Sequence, residues 1–322
     1  MSIEIPWVEK YRPKDFNDIV SQNVAINNIR EFIKNPNMPH MIFTGPAGTG
    51  KTSTALLIVQ KYLKNEELST NLLEVNASDT VRIDFVRNVL KNFVSQNIIK
   101  EGSLKFVILD EADNIPGQVQ QALRRIIEKA SINIKFILLC NYINRIIDPI
   151  ISRCAVFRFI KLPQEKIVDR LKYIVNKEEI QIPKEASEKF YDLLYFISGG
   201  DLRKAINTLQ MAVALELIKN LNLSEILEIS GFMGEKTLDA LMNALKSKDF
   251  MKAKQILDSM VTLDSRSFIR QIIEILTEID IESNNIPSLK SFIGEIDYKI
   301  SQGANEQIQI SALLAKIIEN IQ

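Results

Sequence analysis

The sequence has few of the residues that metal sites and disulfide frameworks need. It contains two cysteines, Cys140 and Cys154, and a single histidine, His40. These three side chains cannot complete a four-ligand zinc site, and two cysteines do not make a disulfide framework. A Ser-His-Asp hydrolase would have to use His40, and a local structural role suits this residue better because it directly precedes an apolar, strand-like run.

Long hydrophobic runs and a net charge are missing as well. No stretch of the 322 residues approaches the roughly 20 apolar residues of a membrane span, and residues 1–13 lack the apolar core of a signal peptide. We therefore expect a protein that is not secreted, has no membrane partner and resides in the cytoplasm, or in the nucleus if the organism is a eukaryote. The 40 basic residues balance the 40 acidic ones, so charge alone gives no nucleic-acid signature.

The first half of the chain alternates β-rich runs with helical patterns. Strands are predicted at 40–45, 71–76, 104–110, 134–140 and 155–160. Several of these runs are almost continuously apolar, as expected of parallel strands covered on both faces. Apolar residues recur at helical spacing in 79–94 and 117–130. This alternation indicates an α/β nucleotide-binding fold.

The second half of the chain reads as helical. The strand signal stops near residue 162, and glycines at "EISGFMGEK" (228–236) suggest a second boundary. We predict three domains: an α/β nucleotide-binding domain at 1–161, a helical domain at 162–230 and an all-α domain at 231–322. One stripe of the last domain, formed by Phe268, Ile272, Ile275 and Ile279, could pack within the domain or between subunits, and spacing does not decide between these.

"GPAGTGKT", residues 45–52, fits the phosphate-binding loop G-x-x-x-x-G-K-[ST]. Glycine lets backbone N–H groups approach phosphate oxygens, since it has no Cβ. Lys51 would neutralise the β- and γ-phosphates of ATP, and the Thr52 hydroxyl would bind Mg²⁺. The predicted nucleotide contacts of the loop are Gly45, Pro46, Ala47, Gly48, Thr49, Gly50, Lys51 and Thr52.

"FVILDEAD", residues 106–113, is an apolar strand that ends in carboxylates. Ligands of open α/β sheets bind at the carboxyl ends of the strands, so this acidic pair should face the phosphate loop. Asp110 would hold Mg²⁺, and Glu111 would orient or activate the attacking water. Asp113 is better explained as a cap of the following helix.

Three further polar residues could act at the same kind of site as these motifs, although each also has a simpler explanation. Asn141 follows a predicted strand and would lie in line with Asp110, although it could be a simple turn former. Arg203, in "GGDLRKAIN", could reach the same site or be solvated. Arg153 in "IISRC" has two interpretations. It could be a cation at the end of a short helix with Asp148 as its N-cap and Pro149 as its first residue, or a group that reaches a nucleotide on another subunit.

Taken together, these motifs resemble those of AAA+ clamp-loader ATPases, and most closely the replication factor C small-subunit family. The resemblance covers the whole chain and is densest over 5–205. Its most specific elements are "PWVEKYRP" (6–13), "EVNASD" (74–79), "DEAD" (110–113), "SRC" (152–154) and "GGDLRKAIN" (199–207). The absence of a long extension or a lysine-rich tail favours a small rather than a large subunit.

The resemblance implies roles for residues that pattern alone leaves open. Val8, Arg12, Ile19 and Val20 would contact the adenine base. Asn141 and Arg203 would sense the γ-phosphate, and Arg153 would be a finger presented to the ATP of the neighbouring subunit, where a planar guanidinium suits developing phosphoryl charge.

The resemblance also implies partners. They are a large subunit, further copies of the chain, a sliding clamp and primer-template DNA. Candidate contacts to the DNA backbone are Arg82, Arg87 and Lys91, although a solvated face would explain them too. The segment that holds them departs from the family, since Thr80, Val81 and Arg82 replace a common Glu-Arg-Gly.

Two other functions fit part of the sequence. An AAA+ DNA motor or replication initiator, such as a branch-migration helicase, would end in a winged-helix domain, and the last third has no clear β-hairpin. A structural ring subunit that binds ATP but barely hydrolyses it would not need the full set of Lys51, Thr52, Asp110, Glu111 and Arg153. The sequence therefore favours an active clamp-loader ATPase.

Overall fold

The computed structural model describes residues 5–35, 37–77, 84–96, 104–130, 132–183, 186–218, 222–260, 263–276 and 285–321. The chain forms two compact units. The N-terminal unit comprises Met1–Glu178 and Ser198–Asn207, and the C-terminal unit comprises Glu179–Ile197 and Thr208–Gln322. The three-domain boundaries stated above remain a prediction.

The N-terminal unit is built on a five-stranded parallel sheet. Its strands are β1 (His40–Thr44), β2 (Leu72–Asn76), β3 (Lys105–Asp110), β4 (Ile134–Cys140) and β5 (Cys154–Arg158), in the spatial order β2-β3-β4-β1-β5. All five strands predicted from the sequence are confirmed, with ends that differ by two residues or fewer. The strand that leads into the phosphate loop, β1, lies inside the sheet between β4 and β5.

Helices cover both faces of this sheet. The helices described up to residue 177 are α1 (Trp7–Lys10), α2 (Asn23–Phe32), α3 (Lys51–Tyr62), α4 (Asn65–Asn71), α5 (Lys91–Ser95), α6 (Gly117–Lys129), α7 (Asp148–Ile151) and α8 (Gln164–Lys177). On one face, Leu123 of α6 packs into a core with Val107 and Leu138. On the other face, Ile29 of α2 and Ile58 of α3 pack on the opposite sides of the same strands. Burial on both faces explains why the strands are nearly continuous apolar runs.

Strand register brings the polar loop residues to one edge of the sheet. Thr44 pairs with Cys140, so the phosphate loop and Asn141 begin at the same level. Asp110 is the last residue of β3 and pairs with Asn76 on β2. The carboxyl ends of β1, β3 and β4 therefore converge, as expected of a ligand site in an open α/β sheet.

Every element described beyond residue 178 is a helix. These are α9 (Ser187–Ser198), α10 (Leu202–Ala214), α11 (Leu223–Ile229), α12 (Glu235–Lys246), α13 (Phe250–Asp258), α14 (Ser265–Ile275), α15 (Ile286–Ser301) and α16 (Glu306–Asn320). Phe268 and Ile272 of the predicted stripe are fully buried in the core of the C-terminal unit, and Ile275 is 8% exposed. The described part of the stripe therefore packs within its own unit, and Ile279 lies outside the described residues.

The helix predicted at 79–94 is confirmed over its described residues, 84–94, where a π-helical segment, Phe85–Leu90, precedes α5. One local prediction needs correction. Asp148 is the first residue of α7 rather than its cap, because Ile147 occupies that position and Pro149 follows within the first turn. Within the described ranges, no helix combines the length and the apolar composition needed to cross a membrane.

Candidate active site

The phosphate loop has the backbone that its glycines allow. Gly48 and Gly50 adopt φ of +68° and +97°, in the left-handed region that side chains disfavour. A Cβ on Gly48 would lie 1.8 Å from Asp201 Oδ1, and one on Gly45 would lie 2.1 Å from the Phe159 carbonyl oxygen. Close packing therefore favours glycine at positions 45 and 48, and the positive φ disfavours any side chain at positions 48 and 50. Gly50 then leads directly into α3, as the motif predicts.

Lys51 is a buried cation at the base of this loop, with 8% of its surface exposed. Its Nζ donates to the Gly45 carbonyl at 2.6 Å, to the Pro46 carbonyl at 2.8 Å and to Asn141 Oδ1 at 3.0 Å. Burial lowers the pKa of Lys51, and the nearby Asp110 carboxylate opposes that change. The cation is therefore held at the carboxyl ends of β1 and β4, where the motif would place phosphate.

Thr52 and Asp110 meet as the sequence predicts. The Thr52 hydroxyl donates to Asp110 Oδ2 at 3.0 Å. Hydroxyl and carboxylate oxygens are the hard donors that Mg²⁺ prefers, and Mg²⁺ commonly binds one or two carboxylates together with substrate phosphates. The residues present therefore fit a nucleotide-bound Mg²⁺ ion.

Glu111 follows Asp110 in a strained backbone conformation. Its φ is +53°, a value that is uncommon for a residue with a side chain. The Glu111 N–H donates to Asp110 Oδ1 at 2.8 Å, and Asn114 Nδ2 donates to Glu111 Oε2 at 3.2 Å. Strain of this kind costs about 1–3 kcal/mol and is concentrated at functional sites. Both adjacent carboxylates line the same cleft at the edge of the sheet.

Asp113 does not act as the helix cap that the sequence suggested. Its Oδ2 accepts hydrogen bonds from the backbone N–H groups of Asn141, at 3.2 Å, and Tyr142, at 3.1 Å. The carboxylate is 7% exposed, and its Oδ1 is buried without a hydrogen-bond partner among the described residues. Asp113 therefore connects the turn after β3 to the end of β4, where Asn141 lies.

The N-terminal segment forms another wall of the site. Trp7 is buried at the start of α1, next to Val8, which faces the cleft. Buried Gln22 exchanges hydrogen bonds with the backbone of Ile160, donating to its carbonyl oxygen at 2.8 Å and accepting from its N–H at 3.0 Å. On the other side, Arg170 of α8 donates to the Tyr11 carbonyl oxygen at 2.8 Å. These contacts hold a segment with little regular structure against the sheet and α8.

Glu178 strengthens that wall beyond the end of α8. It accepts a short hydrogen bond from the Tyr11 hydroxyl and forms an ion pair with Lys10 at 2.6 Å. Burial, followed by the hydrogen bond to Glu178, raises the pKa of Tyr11. The tyrosine therefore stays protonated and acts as a hydrogen-bond donor at neutral pH.

The start of α10 also lines the cleft, through Leu202, Arg203 and Ile206. Asp201 Oδ1 accepts from the backbone N–H groups of Arg203, at 2.8 Å, and Lys204, at 3.1 Å, and so caps the helix. The same oxygen lies against Gly48, as the close approach of a Cβ there shows. Arg203 lies near enough to Lys51 to lower its pKa slightly, in the same direction as burial. The phosphate loop and the start of α10 are thus packed together.

One cleft in the N-terminal unit brings together most of the residues predicted as nucleotide contacts, Mg²⁺ ligands or catalytic groups. Those that line it are Val8, Arg12, Ile19, Val20, Ala47, Gly48, Thr49, Gly50, Lys51, Thr52, Asp110, Glu111, Asn141 and Arg203. Gly45 and Pro46 belong to the loop but not to this lining. The sequence prediction missed Tyr11, Pro13, Asp18, Ser53, Leu162, Arg170, Leu202 and Ile206. Tyr11 and Pro13 belong to the quoted "PWVEKYRP", so that motif could have indicated them.

Arg153 does not line the cleft. Its Nη1 donates to the Pro149 carbonyl at 2.6 Å, the contact expected of a cation at a helix end, and its Nη2 pairs with Glu128 Oε1 at 2.6 Å. Of the predicted DNA contacts, Lys91 is exposed at the start of α5. Arg82 and the side chain of Arg87 lie outside the part of the chain that the structure describes.

The fold and the site define an AAA-type ATPase. Residues 41–162 match the family model described as "ATPase family associated with various cellular activities (AAA)", and residues 234–316 match the model for the "Replication factor C C-terminal domain". The replication factor C small subunit 1 of Pyrobaculum islandicum is 40% identical over 98% of this chain and 94% of its own length. The small subunits of Saccharolobus solfataricus and Archaeoglobus fulgidus are 40% and 38% identical, and cover 98% and 96% of the chain.

The chain therefore belongs to the replication factor C small-subunit family of clamp-loader ATPases. The predicted fold class is confirmed, with an α/β ATPase region followed by helices. Among solved structures, the RuvB Holliday junction branch migration motor of Thermotoga maritima matches with a TM-score of 0.53 and 16% identity, over 84% of this chain and 92% of that one. This likeness concerns the fold alone, so it gives no support to the alternative of a DNA motor.

Proposed function

We propose that the chain is an ATP-dependent clamp-loader subunit that helps open a sliding clamp and load it onto primer-template DNA. The observation that carries the proposal is the convergence of Lys51, Thr52, Asp110, Glu111 and Asn141 on one cleft, in a chain of the small-subunit family. Its partners would be a large subunit, further copies of the chain, the clamp and DNA, with Arg82, Arg87 and Lys91 as contacts to DNA phosphates. The domains at 1–161, 162–230 and 231–322 would serve as the ATPase domain, lid and collar.

The residues of the cleft divide the work of ATP hydrolysis. Val8, Ile19 and Val20 would hold the base, with Arg12 at the same wall. Lys51 and the loop amides would bind the β- and γ-phosphates, and Thr52 and Asp110 would hold Mg²⁺, which supplies charge neutralisation at the phosphates when bound. Glu111 would orient and activate the attacking water.

Asn141 and Arg203 would report the presence of the γ-phosphate. The backbone of Asn141 is tied to Asp113, and the start of the helix that carries Arg203 packs on Gly48. Binding of the γ-phosphate would therefore act on the end of β4 and on α10 together. ATP binding would close a ring of subunits that grips the clamp, and primer-template DNA would trigger hydrolysis and release.

Arg153 would act in the ATP site of a neighbouring subunit. Because it lies outside the cleft of its own chain, hydrolysis would depend on a correctly closed ring. An arginine finger contributes about 10³–10⁵-fold to turnover in phosphoryl transfer. We expect Arg153→Ala to remove most of the stimulated turnover while ATP still binds.

The test is steady-state ATPase of the purified assembly, with and without primed DNA and a sliding clamp. The unmodified chain, Arg153→Ala and Glu111→Gln would be compared. Strong stimulation by DNA plus clamp, lost in both variants with ATP binding retained, is the expected result. Stimulation by DNA alone, regardless of any clamp, would point to a DNA motor, and unchanged turnover in Arg153→Ala would leave this residue as a helix-end cation.

A further inference from the structure

The environment of Arg153 contains a carboxylate with no role in the reaction described so far. Glu128 is the second-last residue of α6, and its Oε1 lies 2.6 Å from Arg153 Nη2. On its other side, Arg153 Nη1 donates to the Pro149 carbonyl oxygen of α7 at 2.6 Å. The guanidinium is thus held at two points, by the end of α6 and by the carbonyl of α7.

The same oxygen of Glu128 also accepts from a second arginine. Arg124 Nε, one turn earlier on α6, donates to Glu128 Oε1 at 2.8 Å. The hydrogen bond from Arg124, with the charges of both arginines, lowers the pKa of Glu128, so the carboxylate is ionised at neutral pH. Two guanidinium groups therefore converge on one oxygen atom, and the negative charge between them offsets their mutual repulsion.

These contacts leave the finger able to bind an anion. A guanidinium has five N–H donors, and Arg153 uses only part of them on Pro149, Ser152 and Glu128. The cluster of Arg124, Arg153 and Glu128 keeps a net positive charge of one, and the charge of nearby Arg125 adds to it. A long side chain that is already fixed loses less rotamer entropy when it engages a phosphate, which is how positioning residues contribute to rate.

We propose that Glu128 is a positioning residue that holds Arg153 ready for the nucleotide of a neighbouring copy of this chain. This inference rests on the proposed function, since it requires Arg153 to act between subunits. The opposite role is also chemically possible: a carboxylate that restrains the finger until it is released. The two roles predict opposite changes in turnover when the carboxylate is removed.

The experiment uses the full chain in its assembly with primed DNA and a sliding clamp. Glu128→Ala removes the acceptor, and Glu128→Gln keeps an acceptor oxygen without the charge. Glu31→Gln is the control, because Glu31 of α2 also forms a surface ion pair, with Lys34 at 2.7 Å just beyond the end of that helix. Turnover, KM for ATP, binding of a fluorescent ATP analogue and the melting temperature are measured for each variant. Arg153→Ala and the Glu128→Ala/Arg153→Ala double variant complete the set.

We expect Glu128→Ala to lower stimulated kcat by about 10–100-fold, the scale of a misplaced catalytic group, while nucleotide affinity and melting temperature stay unchanged. Glu128→Gln should recover part of the loss, and Glu31→Gln should behave like the unmodified chain. In the Arg153→Ala background, Glu128→Ala should have no further effect, because the group it positions is gone.

Other outcomes distinguish failure of the Glu128 positioning role from failure of the proposed role of Arg153. If Arg153→Ala reduces turnover but Glu128→Ala does not, Glu128 does not position Arg153, and the proposed role of Arg153 between subunits is unaffected. If Glu128→Ala raises turnover, the carboxylate restrains the finger and the inference is overturned. If Arg153→Ala itself has no effect, both the proposed function of Arg153 and this inference fall. An equal loss from Glu128→Ala with and without Arg153 would also contradict positioning.

Discussion

Gly48→Ala is the substitution whose effect on the site is most fully determined by the structure. An alanine here would adopt φ near +68° and place its Cβ 1.8 Å from Asp201 Oδ1 and 2.9 Å from the Leu202 backbone nitrogen. The Asp201 side chain can rotate away, but it then loses its cap on α10. The Leu202 nitrogen belongs to the backbone and cannot rotate, so the start of α10 must also move.

The magnitude follows from these two effects. Left-handed backbone costs a residue with a Cβ about 1–2 kcal/mol, and a lost N-cap costs about 0.5–2 kcal/mol. We therefore expect Gly48→Ala to lower the free energy of unfolding by about 1.5–4 kcal/mol, which corresponds to about 3–16 °C in melting temperature for a unit of this size. Displacement of the start of α10 would also move Arg203 and weaken nucleotide binding.

Denaturant unfolding and titration with a fluorescent ATP analogue measure these effects. Asp201→Ala removes the cap without the backbone strain, and should cost less than Gly48→Ala. Gly117→Ala is the matched control, because nothing lies within 4 Å of a Cβ there, and it should leave stability unchanged or raise it. If Gly48→Ala proved as stable as Gly117→Ala and bound ATP equally well, close packing against the start of α10 would not be the reason why position 48 needs glycine.

Two further predictions concern a buried carboxylate and a half-buried histidine. Asp113→Ala leaves two backbone N–H groups at the end of β4 without their acceptor, so it should lower the free energy of unfolding by about 1–3 kcal/mol more than Asp113→Asn, which keeps an acceptor. Equal stability of the two variants in denaturant would contradict this. Burial, with the charge of Lys135, lowers the pKa of His40 from 6.5 to about 4, so between these pH values the unfolded chain binds a proton that the folded chain does not. Stability should therefore fall as the pH drops from 6.5 towards 4, and NMR titration of this single histidine would contradict the reasoning if its pKa were near 6.5.

The fold of the N-terminal unit was largely predictable because its strands are buried on both faces. Continuous apolar runs then carry the signal, and all five strands were found within two residues of their predicted ends. Charged residues inside these strands are less predictable. Lys105 is 2% exposed, and its Nζ reaches the carbonyl oxygens of Phe93 and Gln96 at 3.1 and 3.0 Å. A pattern of residue types does not indicate that such acceptors will be available nearby.

The core of the candidate site was predictable for another reason. Contacts made by consecutive residues, as in the phosphate loop, are encoded in a short motif that needs little tertiary information. Contacts between distant segments are not encoded in this way. Arg170 lies on a helix whose pattern marks it only as polar, yet it binds the Tyr11 carbonyl oxygen. Asp113 reads locally as a helix cap, and only the sheet topology brings it to the backbone of Asn141.

The burial of Trp7 has a practical consequence for following this protein in solution. The sequence contains one tryptophan, so indole fluorescence arises from a single position in the chain. That position is 5% exposed and directly precedes Val8 on the wall of the cleft. The emission spectrum therefore samples the environment of one wall, without contributions from the helical C-terminal unit. The unlabelled chain thus carries an intrinsic optical probe beside its candidate base-binding surface.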